Sequence, residues 1–171
     1  MIISLAGYMG SGKSHIATIL SEKTGFKSID LDKEIIFRNK SAITEIFAKK
    51  GEIFFRKQER EVLEEILATE NNIILSLGGG TPAYYNNMDV INSNSMSIYL
   101  RTSVATLTER LKKHKAKRPL IANIADEDLP EFIAKHLFER NPYYGKCKIT
   151  VDTDRKLPED IADEIILQLH L

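Results

Sequence analysis

Gly7-Tyr8-Met9-Gly10-Ser11-Gly12-Lys13-Ser14 spells G-x-x-x-x-G-K-S, a loop built to wrap a polyphosphate. Its glycines let backbone N–H groups turn inward. Lys13 can reach the β- and γ-phosphates, and the Ser14 hydroxyl can hold Mg²⁺. The flanks agree with this reading. Ile2–Ala6 is short and apolar, as a buried parallel strand should be. After the loop, Ile16, Ile19 and Leu20 recur at helical spacing, and Gly25 suits a helix C-terminus. The order strand, loop, helix places phosphate at a helix N-terminus, where the dipole favours negative charge.

Working outward, the pattern alternates. Strands are predicted at Ile2–Ala6, Lys27–Asp30, Ile73–Leu77, Ser97–Leu100 and Lys148–Val151. Helices are predicted at Lys13–Ser21, Lys33–Asn39, Ala42–Lys49, Ile53–Thr69, Val104–Lys113, Leu129–Glu139 and Pro158–Leu169. Alternation of this kind means an α/β fold: a parallel sheet with helices on both faces and ligands at the strands' C-terminal ends. Two stretches break it. Between Asp30 and Ile73 the chain is helical without a strand, and between Lys112 and Ala125 it is basic and then loop-like. A helical insert and a basic flap beside a phosphate loop suit a small-molecule kinase, one part gripping the acceptor and the other closing over the phosphates.

The length of 171 residues is that of one domain. Lys+Arg and Asp+Glu are equal at 24 each, so no global charge argues for nucleic acid or an anionic membrane. The single Cys147 rules out an intramolecular disulfide framework and a cysteine-built zinc site, and reads as a small buried residue. No apolar stretch has the length of a membrane span, and the N-terminus has no basic leader, so a cytoplasmic protein is expected.

Several residues carry candidate chemistry. Asp30-Leu31-Asp32 follows the second strand. Alternation would put both carboxylates on one side, one for water-held Mg²⁺ and one for an acceptor hydroxyl, although an aspartate here could equally cap the next helix. Gly78-Gly79-Gly80 removes every side chain at the end of the third strand and permits close approach of a ligand. In the run Arg110–Arg118 most lysines read as a solvated face. Nucleic-acid binding finds no interleaved aromatics to support it. Pro119 holds Arg118 extended, as an arginine that neutralises a transferred phosphoryl group would need. Arg56 and Arg140 could be surface residues or a forked clamp on a carboxylate. Phe47, Phe54 and Phe55 read as core, and His15, His114, His136 and His170 as structural or exposed, since no metal-ligand spacing joins them.

Taken in register, the loop Gly7–Ser14, Asp30-x-Asp32, Phe55-Arg-x-x-Glu59, Gly78-Gly79-Gly80, Arg118-Pro119-Leu120 and Arg140-x-Pro-x-Tyr144 resemble the shikimate kinases over essentially the whole chain, and Val151-Asp152-Thr153 resembles that family's last strand. The resemblance implies a five-stranded sheet of order 2-3-1-4-5 in a single P-loop kinase domain over residues 1–171, with a shikimate-binding insert at 33–60 and a lid at 112–124. It implies transfer of the γ-phosphoryl of ATP to the 3-hydroxyl of shikimate, giving shikimate 3-phosphate and ADP, in aromatic amino acid biosynthesis. Lys13, Asp32 and Arg118 are then expected to be catalytic. Gly10, Ser11, Gly12, Lys13, Ser14, His15, Arg118 and Arg155 should contact the nucleotide, with Arg110 a weaker adenine-side match. Asp32, Arg56, Glu59, Gly78, Gly79, Gly80 and Arg140 should contact shikimate, and Ser14 and Asp30 should hold one Mg²⁺. The expected partners of a monomer are shikimate and MgATP, with no nucleic acid and no membrane. One departure is His15, where the family usually has threonine; it follows the Mg²⁺-binding serine and is expected to be tolerated.

Overall fold

A computed structural model describes residues 1–171. Five strands, β1 (Ile2–Ala6), β2 (Lys27–Asp30), β3 (Ile73–Ser76), β4 (Met96–Arg101) and β5 (Ile149–Asp152), form one sheet of order β2-β3-β1-β4-β5. All four pairings are parallel. Because β1 is central, its C-terminal end delivers the phosphate loop to the middle of the sheet's C-terminal edge, between the ends of β3 and β4. This is where an open parallel sheet leaves a crevice for ligand.

Strand alternation sorts the apolar residues onto two faces. Ile3, Leu5, Ile74, Ile98 and Leu100 pack with α1 (Lys13–Thr24) and α7 (Pro158–Leu169), whose Ile161, Ile165 and Leu169 form the inward stripe. On the other face Ile73, Leu75 and Tyr99 pack with α3 (Ile43–Thr69), α4 (Asn87–Asn94), α5 (Val104–Lys113) and α6 (Leu129–Tyr144). The sheet order and the helices on both faces agree with the sequence expectation.

Boundaries differ in four informative places. First, α2 (Leu31–Asn39) begins directly after β2, two residues before its predicted start. The Asp30 side chain accepts a hydrogen bond from the Lys33 N–H at 3.2 Å, a side-chain N-cap. Second, the two helices expected at 42–49 and 53–69 are continuous except at Gly51, whose φ of 83° and ψ of 170° interrupt the helical path. Third, α4 was not expected. Asn87-Met-Asp-Val-Ile-Asn-Ser-Asn94 has weak helix propensity, and burial of Met88 and Ile91 holds it. Fourth, α6 runs past Glu139 and through Pro142 to Tyr144. A proline this close to the C-terminus removes one N–H. The carbonyl that loses it, at Phe138, belongs to a residue on the exposed face.

No helix is long and apolar enough to cross a membrane. Leu5 is fully buried in the central strand. Leu5→Ala should lower stability by about 3 kcal/mol and the melting midpoint by about 6–12 °C, measured by thermal unfolding. A shift below about 2 °C would mean that the sheet centre collapses around the void.

Candidate active site

Gly12 caps α1 in the left-handed region, with φ of 95°, so the loop turns sharply from β1 into a helix whose first N–H groups face the crevice. Lys13 Nζ donates to the carbonyls of Gly7 at 2.7 Å and Tyr8 at 3.1 Å, which pins the ammonium over the concave loop. Burial lowers its pKa to about 8, with Arg118 adding to the fall and Asp32 and Asp30 opposing it. Around the loop lies a cavity of about 510 Å³, bounded by Lys13, Ser14, Asp30, Arg110 and Arg118, with His15 at its wall. Arg118 is extended, with φ of −122° and ψ of 98°, as Pro119 requires.

Asp30 and Asp32 were expected on one side of a strand end; β2 stops at Asp30 and Asp32 lies in the first turn of α2, yet both carboxylates line the loop cavity. Asp30 serves as the cap and also accepts from the Ser14 hydroxyl at 2.9 Å, so the capping reading of that residue holds. The Ser14–Asp30 pair offers hard oxygen donors. Asp32 also reaches Gly78, where an added Cβ would stand 2.9 Å from its Oδ1. Burial first, then the charges of Asp30 and Glu59, push its pKa up to about 6 against Lys13 and Arg56.

A second cavity, about 740 Å³, opens between α3, the glycine turn and α6. It shares Asp32 and Gly79 with the first, so the two are joined at a carboxylate and a stretch of bare backbone. Glu59 is 1 % exposed; Oε1 accepts from Arg56 Nη1 at 3.0 Å and Oε2 from the Thr81 hydroxyl at 2.7 Å. Arg56 stacks on Tyr84, its guanidinium carbon 3.7 Å from the ring centroid, while the Tyr84 hydroxyl donates to Glu52 at 2.7 Å. Arg140 Nη1 donates to the Gly79 carbonyl at 3.1 Å, and the Tyr144 hydroxyl donates to the same oxygen at 2.6 Å. A Cβ on Gly80 would stand 2.7 Å from Arg140 Nη1 and 2.9 Å from both terminal nitrogens of Arg56. Glycine is what lets two guanidinia from different helices converge there.

The expected residues line these two cavities, with two exceptions, Ser11 and Arg155: Ser11 is 2 % exposed, with its side chain in neither cavity. Arg155 is exposed, has φ of 58°, and does not line the loop cavity. Sequence reasoning missed Tyr84, which no motif marked, and His136, read as structural or exposed but placed in the wall of the second cavity. Phe47 and Phe55, read as core, pack in or against the core and also line that cavity.

The shikimate kinase family profile matches residues 9–170. The shikimate kinase of Flavobacterium psychrophilum is 49% identical over 164 residues, 95% of each chain. This chain belongs to the shikimate kinase family. Its fold likewise resembles the crystal structure of the shikimate kinase of Bacteroides thetaiotaomicron, with a TM-score of 0.93, 32% identity, and coverage of 100% and 99% of the two chains. The Acinetobacter baumannii shikimate kinase in complex with shikimate gives a TM-score of 0.89 at 29% identity, covering 99% of this chain and 92% of that one.

Gly80→Ala should raise the acceptor KM about tenfold, the size of one lost charge-assisted contact. The melting midpoint should change little, because the atoms displaced are the flexible ends of side chains. An unchanged KM would mean that the two arginines can separate without loss.

Proposed function

We propose that this chain transfers the γ-phosphoryl group of MgATP to the 3-hydroxyl of shikimate, giving shikimate 3-phosphate and ADP. The observation that carries the proposal is the junction of the two cavities at Asp32 and Gly79. On one side lies an anion-binding loop with Lys13 and Arg118, and on the other a pair of arginines positioned for a carboxylate.

In this reading Gly10 to Ser14 cradle the phosphates, and Lys13 and Arg118 meet the negative charge that develops on the transferred group. Ser14 would hold Mg²⁺ directly and Asp30 through water, and the ion would supply charge neutralisation across the phosphates. Arg56 and Arg140 grip the shikimate carboxylate, each by a planar fork. Glu59 has both oxygens engaged by Arg56 and Thr81, so it serves the acceptor by aiming Arg56. Asp32 accepts hydrogen bonds from the ring hydroxyls and takes the proton of the 3-hydroxyl as the phosphoryl group arrives. A carboxylate with a pKa of about 6 is ionised near neutrality yet basic enough to share a proton. Little covalent chemistry is asked of the protein; alignment and charge supply the acceleration.

Residues 33–60 then form the acceptor insert, since α3 supplies one wall of the second cavity through Phe47, Phe55 and Arg56. Residues 112–124 form the lid. Arg118 faces the donor cavity, Pro119 and Leu120 face the acceptor cavity, and fully buried Ile121 tethers the segment to the core. A monomer working in the cytoplasm completes the proposal.

A coupled ADP-release assay with shikimate, gluconate and nucleoside monophosphates tests the assignment, and turnover with shikimate alone is expected. Asp32→Asn should lower kcat by about 100-fold or more. It should also flatten the rise in kcat with pH through the mildly acid range, because only the ionised carboxylate accepts the proton and that form is lost as pH falls below the raised pKa. Full activity in Asp32→Asn would end its role as base. Arg118→Ala should lower kcat by about 100-fold with a small change in the shikimate KM; a pure KM effect would move Arg118 out of the transition state.

A further inference from the structure

One side chain of the acceptor cavity has no part in the mechanism above. His136, on α6, lies between the phosphate loop and the acceptor clamp. Its Nε2 is 3.2 Å from Arg140 Nη2, and its Nδ1 is 2.9 Å from the Tyr8 hydroxyl. Arginine has no acceptor, so Nε2 must be the bare, accepting nitrogen. The single proton of a neutral ring therefore sits on Nδ1 and is donated to the Tyr8 oxygen.

Packing locks the ring in this setting. Tyr8 is 3 % exposed and meets the imidazole edge-on, with centroids 5.3 Å apart and planes at 89°. Phe132, one turn earlier on α6, meets it at 5.7 Å. Burial holds the Tyr8 hydroxyl at a pKa of about 12, so it remains a neutral partner over the whole working range. Arg140 is thus held at two of its nitrogens, Nη1 by the Gly79 carbonyl and Nη2 by His136.

We propose that His136 is a positioning residue for the acceptor clamp: as the neutral Nδ1–H tautomer, braced by Tyr8, it fixes the Arg140 guanidinium beside Gly80, and its protonation releases that arginine. This rests on the reading of Arg140 as a carboxylate ligand. Protonation replaces an accepting lone pair with an N–H that confronts another N–H donor, and adds a positive charge beside a guanidinium.

The surrounding charges are mixed. Arg140 and Glu139 act from its own helix, and Tyr8 from the loop. Across the cavity stand Asp32 of α2 and Glu52, Arg56 and Glu59 of α3. Burial and then Arg140 lower the His136 pKa against the pull of Glu139, so the neutral form prevails at neutral pH. The sign follows: the acceptor site is intact above that pKa and loosens as pH falls through it.

The test compares His136→Ala, His136→Gln and Arg140→Ala in steady-state kinetics with shikimate and MgATP across mildly acid to mildly alkaline pH. His136→Ala should raise the shikimate KM about tenfold on the alkaline side, with kcat within about twofold and the MgATP KM unmoved. In His136→Gln the amide oxygen still accepts from Arg140 but does not titrate. Its shikimate KM should therefore rise less than that of the alanine variant and increase less on acidification than the wild type's, the remaining increase belonging to Asp32. Nitrogen NMR of ¹⁵N-histidine-labelled protein should find His136 as the Nδ1–H tautomer; an Nε2–H tautomer would overturn the proposal whether or not the variants fold. An unchanged shikimate KM in Arg140→Ala removes the clamp and this inference with it. A raised KM in Arg140→Ala beside a wild-type KM in His136→Ala leaves the clamp standing and removes only the role of His136.

Discussion

A carboxylate that almost never meets water organises this site. Glu59 is 1 % exposed, and a charge so buried is tolerable only when its oxygens are met by strong donors. Arg56 meets one and Thr81 the other. Because Thr81 opens the short turn after the three glycines, and Arg56 projects from the helix that walls the acceptor cavity, Glu59 joins those two elements. Losing either partner would strand the charge, so the position of Arg56 is enforced by a desolvation penalty of several kcal/mol and not by a flexible surface contact.

The same economy of charge runs through the junction of the two cavities. Lys13 and Asp32 are displaced from their ordinary ionisation in opposite senses, each by burial and each opposed by the other's charge. That arrangement brings the ammonium, still mostly charged at neutrality, and the carboxylate both close to the pH at which they can exchange a proton. Burial does both, and burial comes from where β1, β2 and β3 end beside one another. The role of Asp30 is different because it faces Ser14 and its own helix's N–H.

Much of this was legible in the chain. The phosphate loop, the strand order implied by the family's motifs and the grouping of Arg56, Arg140 and the glycines needed no coordinates, since glycine patterns and apolar periodicity are local signals. What escaped was non-local. Helix α4 forms because Met88 and Ile91 find a core, against a polar sequence. Asp32 sits in a helical turn and not on a strand because α2 starts two residues early, which period-two reasoning could not see. Tyr84 carries no motif, and its stacking on Arg56 is visible only once α3 lies across the glycine turn.

By itself the sequence determined that a phosphate-binding loop follows a short apolar strand, because glycine and lysine at those spacings have few other uses; Arg56 and Arg140, open between surface and clamp on their own, were grouped with it only through the resemblance to the shikimate kinases. Only the tertiary structure decided which way each side chain faces. Asp32 and Gly79 become the shared wall of two cavities, and His136 becomes a bridge from Tyr8 to Arg140 across 128 residues on one side and 4 on the other. Those contacts join residues far apart in the chain, and only packing of the elements on the sheet brings them together.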